Sequence, residues 1–227
     1  MRRINAANAV TSVRLVLAPL FVIAYAFVDI WPGLPATVGL TAIWVLFLIM
    51  EFSDVLDGLI ARRQDMVSDL GKILDPFADV VCRLTYFICL TLAGVMPLWF
   101  LIVVLYREFS AVFLRLLLFR EGYALGARTV GKLKSWFYSI ATAIGLYVFT
   151  VGALPNAPVV LAGSLSGVRI AAYIIYVIAA VLSLWSFANY LVFYASRKRA
   201  AREDAHAENS PTVNNASATR AEDEKRS

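Results

Sequence analysis

DVLDGLIARRQDMVSDLGKILDPFAD, residues 54–79, carries four carboxylates, Asp54, Asp57, Asp75 and Asp79, at the ends of two strongly apolar segments. On a helix the i, i+3 spacing puts Asp54 and Asp57 on one face, and the i, i+4 spacing does the same for Asp75 and Asp79. Ionised side chains at membrane depth are costly and face a polar cavity, a partner charge or a metal. Four of one sign converging without a cation repel one another and take up protons. Hard oxygen donors of this kind suit a divalent metal ion.

Written out, the stretch is Asp54-x2-Asp57-Gly58-x2-Ala61-Arg62, then eight residues, then Gly71-x3-Asp75-x3-Asp79. This pattern resembles the signature of the CDP-alcohol phosphatidyltransferase family, with every fixed position present at the family's spacing. The resemblance implies an enzyme in which an alcohol hydroxyl attacks the β-phosphate of a CDP-linked lipid and CMP leaves. It implies Asp54, Asp57 and Asp75 as the principal metal ligands. Asp79 is implied as the general base, sharing a metal. Two Mg²⁺ or Mn²⁺ ions held there would neutralise a diphosphate and stabilise the entering and leaving oxygens of an in-line displacement.

The rest of the chain reads as a scaffold for that cluster. Of 227 residues 60% are hydrophobic, and the mean hydropathy is +0.72, above the composition of ordinary soluble domains. Stretches of about 20 apolar residues mark transmembrane helices. They predict six spans at 13–30, 36–60, 77–96, 98–119, 135–154 and 168–194. Pro32 and Pro35, Pro97, and Pro155 with Pro158 punctuate three nearly uncharged turns. The opposite set of loops is basic: Arg2 and Arg3; Arg62, Arg63 and Lys72; Arg120, Arg128, Lys132 and Lys134; Arg197, Lys198 and Arg199. By the positive-inside rule both termini and the acid cluster face the cytoplasm of a multi-pass cell-membrane protein.

The expected fold is therefore an all-α, six-transmembrane helix bundle in three parts. Residues 1–12 form an N-terminal interfacial amphipathic helix, 13–196 the six-helix domain, and 197–227 a disordered polar tail. The tail has no aromatic residue and too little apolar surface to offset its ordering entropy. It holds the only histidine, His206, to which no role is assigned. Arg2 and Arg3 before an apolar run suggest a signal peptide, but no small-residue cleavage site follows and the run reaches spanning length. Cys82 and Cys89 lie in one apolar segment, where an i, i+7 disulfide has poor geometry, and read as buried small hydrophobes. The net charge of +5 fits anionic lipid heads rather than a dedicated nucleic-acid surface.

Around the carboxylates, Gly58 and Ala61 leave no bulk on or beside their face. That serves either close helix packing or the approach of a base or diphosphate to the backbone, and the family pattern favours the second. Arg62 suits a bidentate phosphate contact and equally a snorkelling anchor. Ser68 stands where relatives carry a small hydroxyl residue near the nucleotide, or caps the next helix. Gly71 belongs to the motif and keeps the approach to the base open. Asp75 before Pro76 is also a common helix start, with Asp as N-cap. The opening Asn5-x2-Asn8-x2-Thr11-x2-Arg14 resembles the family branch that acts on glycerol 3-phosphate, which implies Asn8 near the nucleotide. It reads equally as a helix cap with interfacial arginines.

The acceptor is sought outside the signature. Arg107-Glu108 and Arg115 in span four, followed by Gly131-Lys132-Leu133-Lys134, resemble the same branch, and a phosphorylated acceptor needs such cations. Arg107, Arg115, Lys132 and Lys134 are the expected acceptor-phosphate residues. The chain departs from that branch after Asp79. Val80-Val81-Cys82-Arg83 stands where a Lys and small apolar residues are usual, so that Arg83, one turn beyond Asp79, would change the acceptor pocket.

The expected reaction is transfer of the phosphatidyl group from CDP-diacylglycerol to glycerol 3-phosphate, by a homodimer among membrane lipids. The alternatives are another acceptor or donor of the same family, such as an inositol phosphate, or CDP-choline or CDP-ethanolamine with diacylglycerol. From a different class, a divalent-cation transporter also places aspartates in spans, but its sites lie near the bilayer midplane in broken helices. A membrane scaffold leaves the four carboxylates without compensation.

Overall fold

A computed structural model describes the backbone of residues 6–29, 35–64, 69–120, 129–154 and 159–208. It describes the side chains of 12–29, 35–53, 76–118, 120, 133–154 and 163–199. All secondary structure among them is helical. In chain order the helices are α1 (Ala6–Asp29), α2 (Ala36–Gln64), α3 (Asp69–Leu92), α4 (Leu98–Arg120), α5 (Thr129–Ala153) and α6 (Val159–Glu208). By compactness the chain divides into two units, 1–186 and 187–227.

Among the described residues, four segments are long and apolar enough to cross a membrane: Ser12–Asp29, Ala36–Ser53, Leu133–Ala153 and Gly163–Arg199. Helices α3 and α4 are not among them. In α4 the ionised Arg107, Glu108 and Arg115 fall within any spanning window. In α3 Asp79 and Arg83 enter early. The apolar surface is turned outward: Val16, Phe52, Tyr106, Phe113, Trp136 and Val192 are each more than 60% exposed. A soluble protein rarely tolerates so much contiguous exposed apolar surface, whereas lipid covers it without cost.

Helix α3 is the axis of the first unit. It packs against α1, α4 and α5, while α2 packs against α1 and α5. Neighbouring residues of α3 face opposite ways. Tyr86 meets Phe21 of α1 and Phe47 of α2 edge-on at 5.0 and 5.5 Å, while Phe87 meets Phe100 of α4 and Tyr138 of α5 at 5.3 and 5.5 Å. Phe100 lies in turn 5.3 Å from Tyr176 of α6. Because lipid tails are as apolar as leucine, such interlocked rings hold the bundle through packing rather than through transfer from water. The α3–α4 turn is built on Gly94, with φ +68°, a left-handed conformation that glycine adopts without steric cost. The Gly94 N–H donates to Thr91 C=O and the Val95 N–H to Leu90 C=O, both at 3.0 Å. This Schellman closure satisfies the last carbonyls of α3.

Three helix bounds differ from those read in the sequence. Helix α1 starts at Ala6 and runs unbroken to Asp29, so residues 6–12 are helical and continuous with the first span. Alanine-rich AANAV carries neither Gly nor Pro to end a helix. Helix α3 begins at Asp69, so Pro76 lies inside it and Asp75 is not its N-cap. Helix α6 continues to Glu208, into the stretch expected to be a disordered tail, where Ala, Arg and Glu favour helix. Residues 209–227 of that tail lie outside the described residues.

Candidate active site

Helices α2 and α3 carry the motif in sequence order. The last turns of α2 carry the backbones of Asp54, Asp57, Gly58, Ala61 and Arg62, and the first turns of α3 those of Gly71 and Asp75. Asn8 falls in the first turn of α1 and Lys132 in the first turn of α5. The side chains of all these residues, and Ser68 altogether, lie outside the described residues. Asp79, one turn beyond Asp75 on a continuous helix, is described in full.

Asp79 is held from two helices. Arg14 of α1 donates through Nη2 to its Oδ1 at 2.6 Å, and Arg83, one turn further along α3, places Nη2 3.8 Å from its Oδ2. The Arg14 side chain is almost wholly buried, 6% exposed, whereas Asp79 keeps 29% exposure. The Cys82 thiol donates to the backbone carbonyl of Arg14 at 3.7 Å, so the same stretch of α1 is tied to α3 twice. Sequence reading placed Arg14 in an opening motif without assigning it a partner. The available signal was its position in an apolar helix, where a guanidinium needs a counter-charge.

A second polar group lies between α4, α5 and α6. Glu108 Oε1 accepts from Lys134 Nζ at 2.6 Å and from Arg107 Nη1 at 2.8 Å. Arg107 also donates from Nε to the Ser183 carbonyl and from Nη2 to Ser186 Oγ, both at 3.0 Å. All three ionised side chains are 6% exposed or less. Two cations against one carboxylate leave a formal charge of +1 in this group. Tyr138 joins it to the first. Its hydroxyl donates to Ser183 Oγ, while Lys134 Nζ and Arg83 Cζ lie 5.2 and 5.5 Å from its ring centre. Arg83 also donates to Ser135 Oγ at 3.4 Å, and one turn on Ser139 donates to Glu51 of α2.

Four expected acceptor residues thus separate by environment. Arg107 and Lys134 are brought together, both on Glu108. Arg115 is half-buried two turns further along α4, and Lys132 lies outside the described residues. Sequence reading missed Glu51, Tyr138, Ser183 and Ser186 as members of the network, since their partners are far away in the chain.

No three metal-binding side chains converge among the described residues. Of the proposed ligands only Asp79 is among them, and its partly exposed, all-oxygen donor chemistry fits a hard divalent cation. Its Oδ1 accepts from Arg14, and its Oδ2 lies 3.8 Å from Arg83.

Comparisons with known proteins bear on what such a site does. The family model for CDP-alcohol phosphatidyltransferase matches residues 4–185. The chain is 38% identical over 158 residues to a CDP-diacylglycerol–glycerol-3-phosphate 3-phosphatidyltransferase of Treponema pallidum, covering 68% of this chain and 71% of the relative. A protein of the same name from Bacillus subtilis is 34% identical over 144 residues, 61% of this chain and 75% of the relative. A probable phosphatidylglycerophosphate synthase of Mycobacterium tuberculosis is 33% identical over 144 residues, 63% of this chain and 66% of the relative.

Proposed function

The chain belongs to the CDP-alcohol phosphatidyltransferase family, and from that premise we propose that it transfers the phosphatidyl group of CDP-diacylglycerol to glycerol 3-phosphate, releasing CMP. The observation that carries the substrate pair is the 38% identity to the Treponema relative over 71% of that protein's length.

The acceptor hydroxyl attacks the β-phosphorus. A new P–O bond forms, the bond to the CMP phosphate oxygen breaks, and the hydroxyl proton passes to Asp79. A base must lie within hydrogen-bond reach of that proton. Arg14 supports this role by holding Oδ1 at 2.6 Å, which orients the carboxylate. Asp54, Asp57 and Asp75, with Asp79 sharing, would hold two Mg²⁺ or Mn²⁺ ions. When bound, these supply neutralising charge for the diphosphate. Gly58, Ala61 and Gly71 leave room for the nucleotide, which Arg62, Ser68 and Asn8 contact. Arg107 and Lys134 are already committed to Glu108. They therefore act on the acceptor phosphate through the net positive field of their triad, while Arg115 and Lys132 complete the cationic side.

The protein spans the cell membrane six times as a homodimer, with both termini and the site at the cytoplasmic face. The alternation of basic and uncharged loops supports this orientation. A shared site at a cytoplasmic lip gives a water-soluble acceptor access while the donor's acyl chains stay in lipid.

The test is CMP release by purified protein in lipid nanodiscs with CDP-diacylglycerol and Mn²⁺ against a panel of alcohols. Release is expected with glycerol 3-phosphate. Release with an inositol phosphate alone, or only from CDP-choline with diacylglycerol, would reassign the acceptor or donor. No release with any alcohol, alongside tight Mn²⁺ binding, would point to cation transport.

A further inference from the structure

Helix α2 runs without a break from Ala36 to Gln64, and Glu51 stands on it three residues before Asp54. Its neighbours show which way this part of the helix faces. Phe47, one turn earlier, is buried against Tyr86 of α3 with ring centres 5.5 Å apart. Met50 is buried, whereas Phe52 is 64% exposed. Glu51 is half-buried between them, and the Ser139 hydroxyl of α5 donates to its Oε2. A carboxylate in an apolar helix is costly, and where one is kept it marks a functional position together with its partner.

The bond is the second polar tie between α2 and α5. Seven residues earlier on α2, Trp44 Nε1 donates to Thr150 Oγ1 at 3.0 Å. Pairing 44 with 150 and 51 with 139 sets the two helices antiparallel, with the Glu51 tie nearer the end of α2 that carries the motif. Ser139 also has a local acceptor, the Ser135 carbonyl one turn back at 3.3 Å. A hydroxyl bonded to a carboxylate makes the stronger contact. Apolar packing, such as that of α1 on α2, is non-directional. Hydrogen bonds at two levels are directional, and they set the rotation of α2 about its axis.

That rotation decides where the next carboxylates go. Asp54 follows Glu51 by about 4.5 Å along a continuous helix. Donor oxygens around a metal ion must be held within about 0.5 Å of their productive positions. Groups outside the ligand set that orient it are worth about 10–100-fold in metal affinity.

We propose that Glu51 is a positioning residue for the metal-binding end of α2, its bond from Ser139 fixing the turn that carries Asp54 and Asp57. The inference rests on the reading above that those aspartates hold divalent ions, and it adds the group that orients them. Glu51 acts through the helix and is not itself a ligand.

The test is titration of the full-length protein in lipid nanodiscs with Mn²⁺ alone, free Mn²⁺ being read by electron paramagnetic resonance, with thermal melts of the same samples. Glu51→Gln keeps an oxygen within reach of Ser139 but drops the charge, whereas Glu51→Asp keeps the charge and withdraws the oxygen by one methylene. Glu51→Asp and Ser139→Ala are each expected to weaken Mn²⁺ binding about tenfold. Their double variant should be no weaker than either single one, because both remove the same bond. Glu51→Gln should stay within about threefold of wild type. The opposite order, with Glu51→Gln the weaker binder, would make Glu51 a ligand and overturn the proposal. Lower melting temperatures with unchanged Mn²⁺ affinity would overturn it too, leaving the bond a purely structural one. If Ser139→Ala does not fold, Glu51→Asp against Glu51→Gln decides. A wild type that binds no Mn²⁺ overturns the metal reading as well, whereas a wild type that binds it no better than every variant overturns this inference alone.

Discussion

Arg14 and Asp79, 65 positions apart in the chain, meet at 2.6 Å between α1 and α3. A buried guanidinium and a partly exposed carboxylate make a charge-assisted bond, stronger than a neutral one and demanding in geometry. Through it the N-terminal helix is tied to the residue proposed above as the general base.

Removing that bond should therefore cost both stability and rate. Arg14→Ala leaves the Asp79 carboxylate without its short donor, a loss of about 1–3 kcal/mol. Misplacing a reacting group typically lowers kcat by about a hundredfold. Arg14→Lys should restore stability more than rate, since an ammonium lacks the planar fork. Thermal unfolding in detergent and kcat measured on the same preparations check this. A variant with wild-type kcat would detach Arg14 from catalysis.

Glu108 compensates two buried cations with one oxygen, Oε1. Glu108→Gln strands Lys134 and Arg107 in the interior, and breaking a buried pair from one side costs about 3–5 kcal/mol. The double variant Glu108→Gln/Lys134→Met should recover much of that loss by removing a stranded charge. Melting temperatures by circular dichroism discriminate. Equal destabilisation in single and double variants would show the two residues to be uncoupled.

The α1–α2 contact predicts a pair of contrasting glycine substitutions. A Cβ on Gly39 would overlap Val28 Cγ2 and approach the Ala24 carbonyl to 3.4 Å, and valine is stiff about χ1. Gly39→Ala is expected to destabilise by about 1–3 kcal/mol through overpacking. Gly167→Ala in α6, where nothing lies within 4 Å of the added carbon, should be neutral or stabilise by about 0.5–1 kcal/mol. Parallel detergent melts check both, and tolerance of Gly39→Ala would contradict the close helix approach.

What the chain revealed before its structure was what is local in it. The carboxylate spacing, the apolar spans and the proline turns are short-range patterns, and helices α1 to α6 follow them closely. The start of α3 at Asp69 was hidden because Asp75-Pro76 imitates a helix start so well. The helical stretch to Glu208 was hidden because low hydrophobicity was read as disorder, although its residues are good helix formers. The network around Asp79 and Glu108 was only half visible. Arg107, Lys134 and Arg83 stood out as charges in apolar surroundings. Their partners Tyr138, Ser183 and Ser186, like the Arg14 that bonds Asp79, come from other helices, and only packing brings them together.

The most direct test of the account is Asp79→Asn, which keeps the shape of the side chain and removes its capacity to take a proton. With CDP-diacylglycerol, glycerol 3-phosphate and Mn²⁺, CMP release should fall by about 10²–10⁴-fold, the usual contribution of a general base. CDP-diacylglycerol binding, followed by titration in the same nanodiscs, should remain close to wild type. Retained CMP release would contradict the assignment of Asp79, and with it the catalytic role given to the bond from Arg14.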